Sequence, residues 1–144
     1  MKNGIHDETV DWDALANLRY RIRKFRHFSA REALKLGLAP QEHQALLAIK
    51  GHGKAMTLAV LGERLLLDRQ AVGALVGGLA AREFVFVETH GRQRLLSLCN
   101  AAETLLDRLS QAHLYEIREM APDLMHALRV LQDRQKLSRI AWMQ

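Results

Sequence analysis

Apolar residues recur every three or four positions along most of this chain, and the breaks in that rhythm divide it into elements. Leu15, Leu18, Ile22 and Phe25 form a narrow, heptad-like stripe on a first helix beginning near Trp12. Asp11 or Asp13 is placed to cap it, Ser29 marks a bend, and Gly37 is its C′ residue. Pro40 suits the first position of a second helix, which carries Leu46, Leu47 and Ile49 and stops at Gly51 and Gly53. Thr57 caps a third, with Leu58, Leu61 and Leu65 on one face. Asp68 caps a fourth, where Val72, Leu75, Val76 and Leu79 form a buried stripe. The period then shortens. FVFVETHGRQRLLSLC places two short apolar runs around His90-Gly91, the pattern of a β-hairpin.

Beyond the hairpin, Asn100 and Glu103 have the spacing of a capping box. They open a long helix with Leu105, Leu106, Leu109, Leu114, Ile117 and Met120 on its stripe. Pro122 restarts the chain into another helix with Leu124, Leu128 and Leu131. Met1 to Val10 reads as a loose polar arm, and the tail from Lys136 to Gln144 adds Ile140, Trp142 and Met143. Two helices joined by a short turn and followed by a hairpin are the parts of a winged helix-turn-helix. The expected fold is therefore mainly α with a small β-hairpin wing. Three terminal helices with apolar stripes exceed what so small a lobe can cover. The economical solution is a homodimer in which terminal helices from two chains intertwine.

Composition narrows the function. The chain has 144 residues, 49% of them apolar, enough for one domain with a real core. Its apolar runs fall far short of a bilayer span and no signal peptide opens it. A single cysteine, Cys99, suits a reducing cytoplasm. There is no glycine-rich phosphate loop, no nucleophile elbow and no argued carboxylate pair, so an enzyme is not expected and no cofactor is implied. The net charge of +5 fits a polyanion partner, but its distribution is uneven. Residues 57–99 sum to +1, whereas Arg19 to Lys35 sum to +6. The ordinary reading of that basic run is a solvated helix face, and its apolar side lacks the bulk of a membrane-surface helix.

The order of elements and the strings GLAPQEHQALLAIKG, TLAVLGERLLLDRQAVGALVGGL and LSLCNAAETLLDRL resemble the MarR family of bacterial transcription regulators. The resemblance implies a winged helix-turn-helix lobe over residues 38–99 and dimerisation helices over 11–36 and 100–144. It implies a homodimer on double-stranded DNA, with repression or activation often relieved by a small phenolic or lipophilic ligand held between the helices and the lobe. The recognition helix is then Arg69 to Arg82, with Arg69, Gln70, Gly73 and Ala74 on its solvent side. Arg69 and Gln70 suit guanine and adenine edges. Thr57 matches a phosphate contact at a helix N-terminus. His90, Arg92 and Arg94 occupy the wing, where an arginine enters a minor groove.

The chain also departs from the family pattern. Gly77-Gly78 stand where the family carries an acid and a base, and the wing is short. Gly73, Gly77 and Gly78 weaken the helix and supply no hydrogen bonds to bases. That leaves a second reading: a winged-helix protein with degenerate base readout that works through protein contacts. Zinc-responsive members place a Glu-His pair near Glu42-His43, which with His113 and Glu116 makes a candidate metal set, although histidines on helices usually pack. Cys99, just before a helix N-terminus, is a candidate redox thiol beside its plainer reading as a half-buried structural one.

Overall fold

The computed structural model describes the backbone of residues 10–143 and the side chains of residues 10–133. The expected arm up to residue 9, and the tail side chains of Ile140, Trp142 and Met143, lie outside the described residues. The elements are α1 (Trp12–Lys35), α2 (Pro40–His52), β1 (Met56–Thr57), α3 (Leu58–Leu65), α4 (Arg69–Ala81), β2 (Val85–His90), β3 (Gln93–Leu98) and α5 (Asn100–Met143). They divide into two units, residues 29–112 and, among the described residues, 10–28 with 113 onward.

Local chemistry explains the element ends. Of the two candidate caps for α1, Asp11 does the work, its Oδ1 accepting from the Ala14 N–H at 3.0 Å. The helix runs through Ser29 without the expected break. It closes in a Schellman turn: Gly37 has φ 80° and its N–H reaches the Leu34 carbonyl, while the Leu38 N–H reaches Ala33. Pro40 is the first residue of α2, and the Glu42 carboxylate takes the Ala39 N–H at 2.7 Å. Thr57 Oγ1 accepts from Val60 N–H at 3.2 Å, and Asp68 Oδ1 accepts from Ala71 N–H at 2.8 Å.

The 29–112 unit holds a continuous core. Leu38 and Leu46 from the α1–α2 region, Leu61 of α3, Leu79 of α4, Leu96 of β3 and Ala102 of α5 are all fully buried. Leu75 is only half-buried, and Leu47 points outward. Gly62 is where α3 and α4 approach closely. A Cβ there meets the Leu67 carbonyl at 3.2 Å and the Val72 side chain at 3.4 Å.

The sheet corrects the two-stranded expectation. It has three antiparallel strands in the order β1-β3-β2, with Met56 opposite Leu96 and Val87 opposite that same Leu96. Met56-Thr57 is too short to show a period of two, so pattern reading passes over it. Its role comes from position: it ties the entry of α3 to the wing, with Met56 buried beside Leu96.

Two further corrections concern α5. The expected capping box is absent, because Asn100 lies already inside the helix and the Cys99 carbonyl accepts from Ala102 and Glu103. The Glu103 carboxylate turns instead to Lys50 Nζ at 2.8 Å, holding that ammonium above the usual lysine pKa, first by hydrogen bond and then by charge. Pro122 does not restart the chain either. The helix continues from Asn100 to Met143 through it, so two terminal helices stand where three were expected. A proline inside a helix costs one hydrogen bond and crowds the carbonyl four residues back. The apolar repeat on both sides of Pro122 keeps one register, which favours continuation over a break.

The described residues of the other unit form little core. Among its described residues only Ala127 is a buried hydrophobic. Leu15, Leu18 and Phe25 are half-buried, while Ile22, Leu114, Ile117, Met125 and Leu128 are exposed. His113 meets the rings of Phe25 and Phe28 edge-on, at centroid distances of 5.9 and 5.6 Å. Arg21 pairs with Asp123 at 3.2 Å.

Arg82, the residue after α4, ties three pieces of the first unit together. Its Nη1 donates to Glu42 Oε2 at 3.1 Å and its Nη2 to the Gly37 carbonyl at 2.8 Å. Its guanidinium also lies 4.8 Å from the centre of the Phe84 ring. Arg82→Ala is expected to lower stability by about 1–2 kcal/mol, since each contact is partly solvated. A urea midpoint that moves down at constant slope is the expected readout, and an unmoved midpoint contradicts it.

Candidate nucleic-acid interface

Three pieces of backbone build a single open groove in the 29–112 unit. The start of α3 supplies Thr57, Leu58 and Ala59, and its later turns supply Gly62 and Glu63. The turn and the start of α4 supply Leu66, Leu67, Arg69, Gln70, Val72 and Gly73, and the wing supplies Arg92, Gln93 and Arg94. The space they line is about 1160 Å³. Six of the eight residues expected to meet DNA from sequence therefore share this groove: Thr57, Arg69, Gln70, Gly73, Arg92 and Arg94.

Ala74 and His90 are not in its lining. Ala74 is exposed on the turn of α4 after Gln70. His90 ends β2, with Nε2 3.2 Å from Glu88 Oε1. The wing turns through the two residues Gly91 and Arg92, between the paired His90 and Gln93. Gly91 has φ 62°, the left-handed geometry that a two-residue hairpin loop requires and that glycine adopts without cost. That loop sets Arg92 at the hairpin tip and Arg94 across from Thr89.

The charges in the groove are unbalanced. Arg69, Arg92 and Arg94 are exposed, and among the described residues none has a carboxylate within ion-pair distance. Glu63 is the one acidic residue in the lining. Such a surface attracts a polyanion. The Thr57 hydroxyl accepts the Val60 N–H and keeps its own O–H to donate. Arg69 and Gln70 are the first two residues of α4, where backbone N–H groups and the helix dipole also favour an anion.

The sequence reading missed Leu66 and Gln93. Gln93 had a signal, since it follows the turn arginine and alternates with core residues along β3. Leu66 had a weaker one. In Leu65-Leu66-Leu67 each residue is turned about 100° from the last on a helix, so one face cannot bury all three.

The candidate metal set does not form a cluster. Glu42 is taken by Ala39 and Arg82, His43 is buried in the 29–112 unit, and His113 is packed against phenylalanines in the other. Among the described residues no group of three His, Cys, Asp or Glu side chains is placed to hold a metal ion. Among them, too, no helix is long and apolar enough to cross a membrane. Cys99 is half-buried, with its backbone N–H on the Phe84 carbonyl at 2.9 Å.

Residues 36–94 match the model of the MarR family. Among solved structures, the chain is similar to MepR, a transcription regulator of the Staphylococcus aureus multidrug efflux pump MepA. The TM-score is 0.68 at 10% identity, covering 94% of this chain and 100% of that one. It is similar to AbsC, a MarR family transcriptional regulator from Streptomyces coelicolor, with TM-score 0.69 at 13% identity over 92% and 95% of the two chains. A variant of MarR from E. coli, complexed with operator DNA, gives 0.63 at 15% identity over 81% and 88%. At these identities the likeness is one of fold. No curated protein sequence matches the chain.

Proposed function

From the match of residues 36–94 to the MarR family model, we propose that the protein is a MarR-family member, a dimeric, sequence-specific DNA-binding transcription regulator, acting as a repressor that a small phenolic or lipophilic ligand relieves. The observation that carries this reading is the groove. Three arginines with no carboxylate at ion-pair distance among the described residues, a helix N-terminus bearing Arg69 and Gln70, and a capping threonine with a spare donor line the same space. That is the chemistry of a surface that meets phosphates at its rim and base edges at its centre. Residues 38–99 are then the reading lobe, and α1 with α5 are the dimerisation helices. Exposed Ile22, Ile117 and Leu128 support that second role, because among the described residues their unit has so little core of its own. Two lobes related by a two-fold axis present recognition helices to major grooves about 34 Å apart on a pseudo-palindromic site.

A second reading keeps one observation in its favour. Gly73, Gly77 and Gly78 put no side chain on the outward face of α4. On that reading base recognition has decayed and the lobe works through protein contacts.

Titration of the protein against its own upstream DNA and a scrambled fragment, across salt, separates the two. The regulator reading expects tighter binding to the native fragment, with log affinity falling as log salt rises. Equal, weak binding to both fragments sinks it. Arg69→Ala should then cost about 1–3 kcal/mol on the native fragment and little on the scrambled one. A panel of simple phenols added to the native complex tests the ligand. Release supports relief, and a complex unmoved by all of them counts against it.

A further inference from the structure

Leu66 is the least economical residue in the lobe. It follows α3 at φ 58° and ψ 41°, the left-handed region that glycine occupies freely and a branched side chain does not. Its N–H reaches the Glu63 carbonyl at 3.2 Å, and the Leu67 N–H reaches Gly62 at 2.9 Å. Both bonds are backbone bonds that glycine makes equally well. The isobutyl group gains nothing from the core, since Leu66 is 91% exposed. What the side chain does have is a place in the groove, three residues before Arg69 and in the same lining as Gln70, Arg92 and Arg94.

We propose that Leu66 is a DNA contact, its isobutyl group closing on apolar carbon of the duplex beside the bases met by Arg69 and Gln70. The proposal rests on the regulator reading above and deepens it. The exposed arginines of the groove select a polyanion as the occupant, and DNA offers two apolar surfaces there. One is the C5 methyl of thymine in the major groove, the other the deoxyribose ring. An exposed leucine held in a strained geometry is stabilised once that surface covers it, so strain in the free protein and contact in the complex have one cause.

Two variants separate side chain from backbone. Leu66→Gly removes the strain and the side chain together, and Leu66→Asn keeps a residue tolerant of this geometry while replacing apolar surface with amide. Each is titrated against the upstream fragment made with thymine and against the same fragment made with uracil, which lacks only the C5 methyl. Both variants are expected to bind the thymine fragment about fourfold or more weakly than the parent. Leu66→Gly should at the same time melt about 3 °C higher, because the strain is gone. If the methyl is the contact, uracil weakens the parent and leaves the variants unchanged. If the sugar is the contact, uracil affects all three alike. Variants that bind as tightly as the parent overturn the proposal, and so does weaker binding accompanied by a lower melting temperature, which assigns the loss to folding. A parent that fails to prefer its own fragment to the scrambled one overturns the regulator reading itself.

Discussion

Ile117→Asp combined with Leu128→Asp is expected to give a monomer whose affinity for the native DNA fragment is about 10²–10⁴-fold below that of the parent, because two lobes no longer engage one site. Ile117 and Leu128 are 43% and 48% exposed, so in the isolated chain neither substitution removes core packing. They lie eleven residues apart on α5, three helical turns, and so share a face with Leu114 and Met125, which are also exposed. An apolar stripe of this length on one chain is unusual for a monomer and ordinary for half of an obligate interface. Carboxylates placed in such an interface lose their water without gaining partners. Sedimentation and a mobility-shift titration read the two effects. Added negative charge also repels DNA, so Ile117→Lys with Leu128→Lys serves as the control and should give a monomer too. A variant that stays dimeric in both charge states removes α5 from the interface.

The second large effect has the opposite sign. Gly73→Ala, Gly77→Ala and Gly78→Ala together should stabilise the protein by about 3 kcal/mol, near 1 kcal/mol each from helix propensity. None of the three glycines has a positive φ, and a Cβ built on any of them meets nothing within 4 Å. The unfolded chain therefore loses conformational freedom while the folded helix bears no steric cost. Thermal unfolding at fixed protein concentration measures it. A neutral or negative change would mean that the face is covered, most simply by a partner. The same triple variant also tests the bare face of α4 on DNA. If that face lies close against the duplex, three methyl groups weaken specific binding while the melting temperature rises. If base recognition rests on Arg69, Gln70 and the wing alone, affinity stays put.

The lobe was legible because its signals are local. Asp68 and Thr57 declare helix starts through their own side chains, and both accept the expected N–H three residues on. Gly37, Gly53 and Gly91 mark left-handed positions that few other residues take. Val72, Val76 and Leu79 repeat at helix spacing and are buried at it. At two places a distant residue overrode the local rule. Glu103 has the right spacing to reach back to Asn100, yet Lys50, 53 residues away in sequence, takes its carboxylate. Met56-Thr57 becomes a strand only because Leu95 and Leu96 lie alongside.

The groove stands between these cases. Arg69, Gln70, Arg92 and Arg94 announce themselves by chemistry and by their places next to a cap and a turn, but nothing in their spacing brings a wing tip beside a helix start. Packing of Val85 and Leu96 against the helices does that. Leu66 shows the limit most plainly. As a letter in a leucine run it belongs to the core, and the left-handed turn that lifts it into the groove is set by two hydrogen bonds to carbonyls of α3.

Periodicity, caps and turn residues thus determined by themselves the order of helices and wing, because each is a balance among neighbours within a few residues. Only the tertiary structure decided that β1 exists, that Glu103 faces Lys50 and that Leu66 joins three arginines in one groove. Each of those outcomes depends on groups far apart in the chain, whose meeting is an energy of packing and not a property of any short stretch.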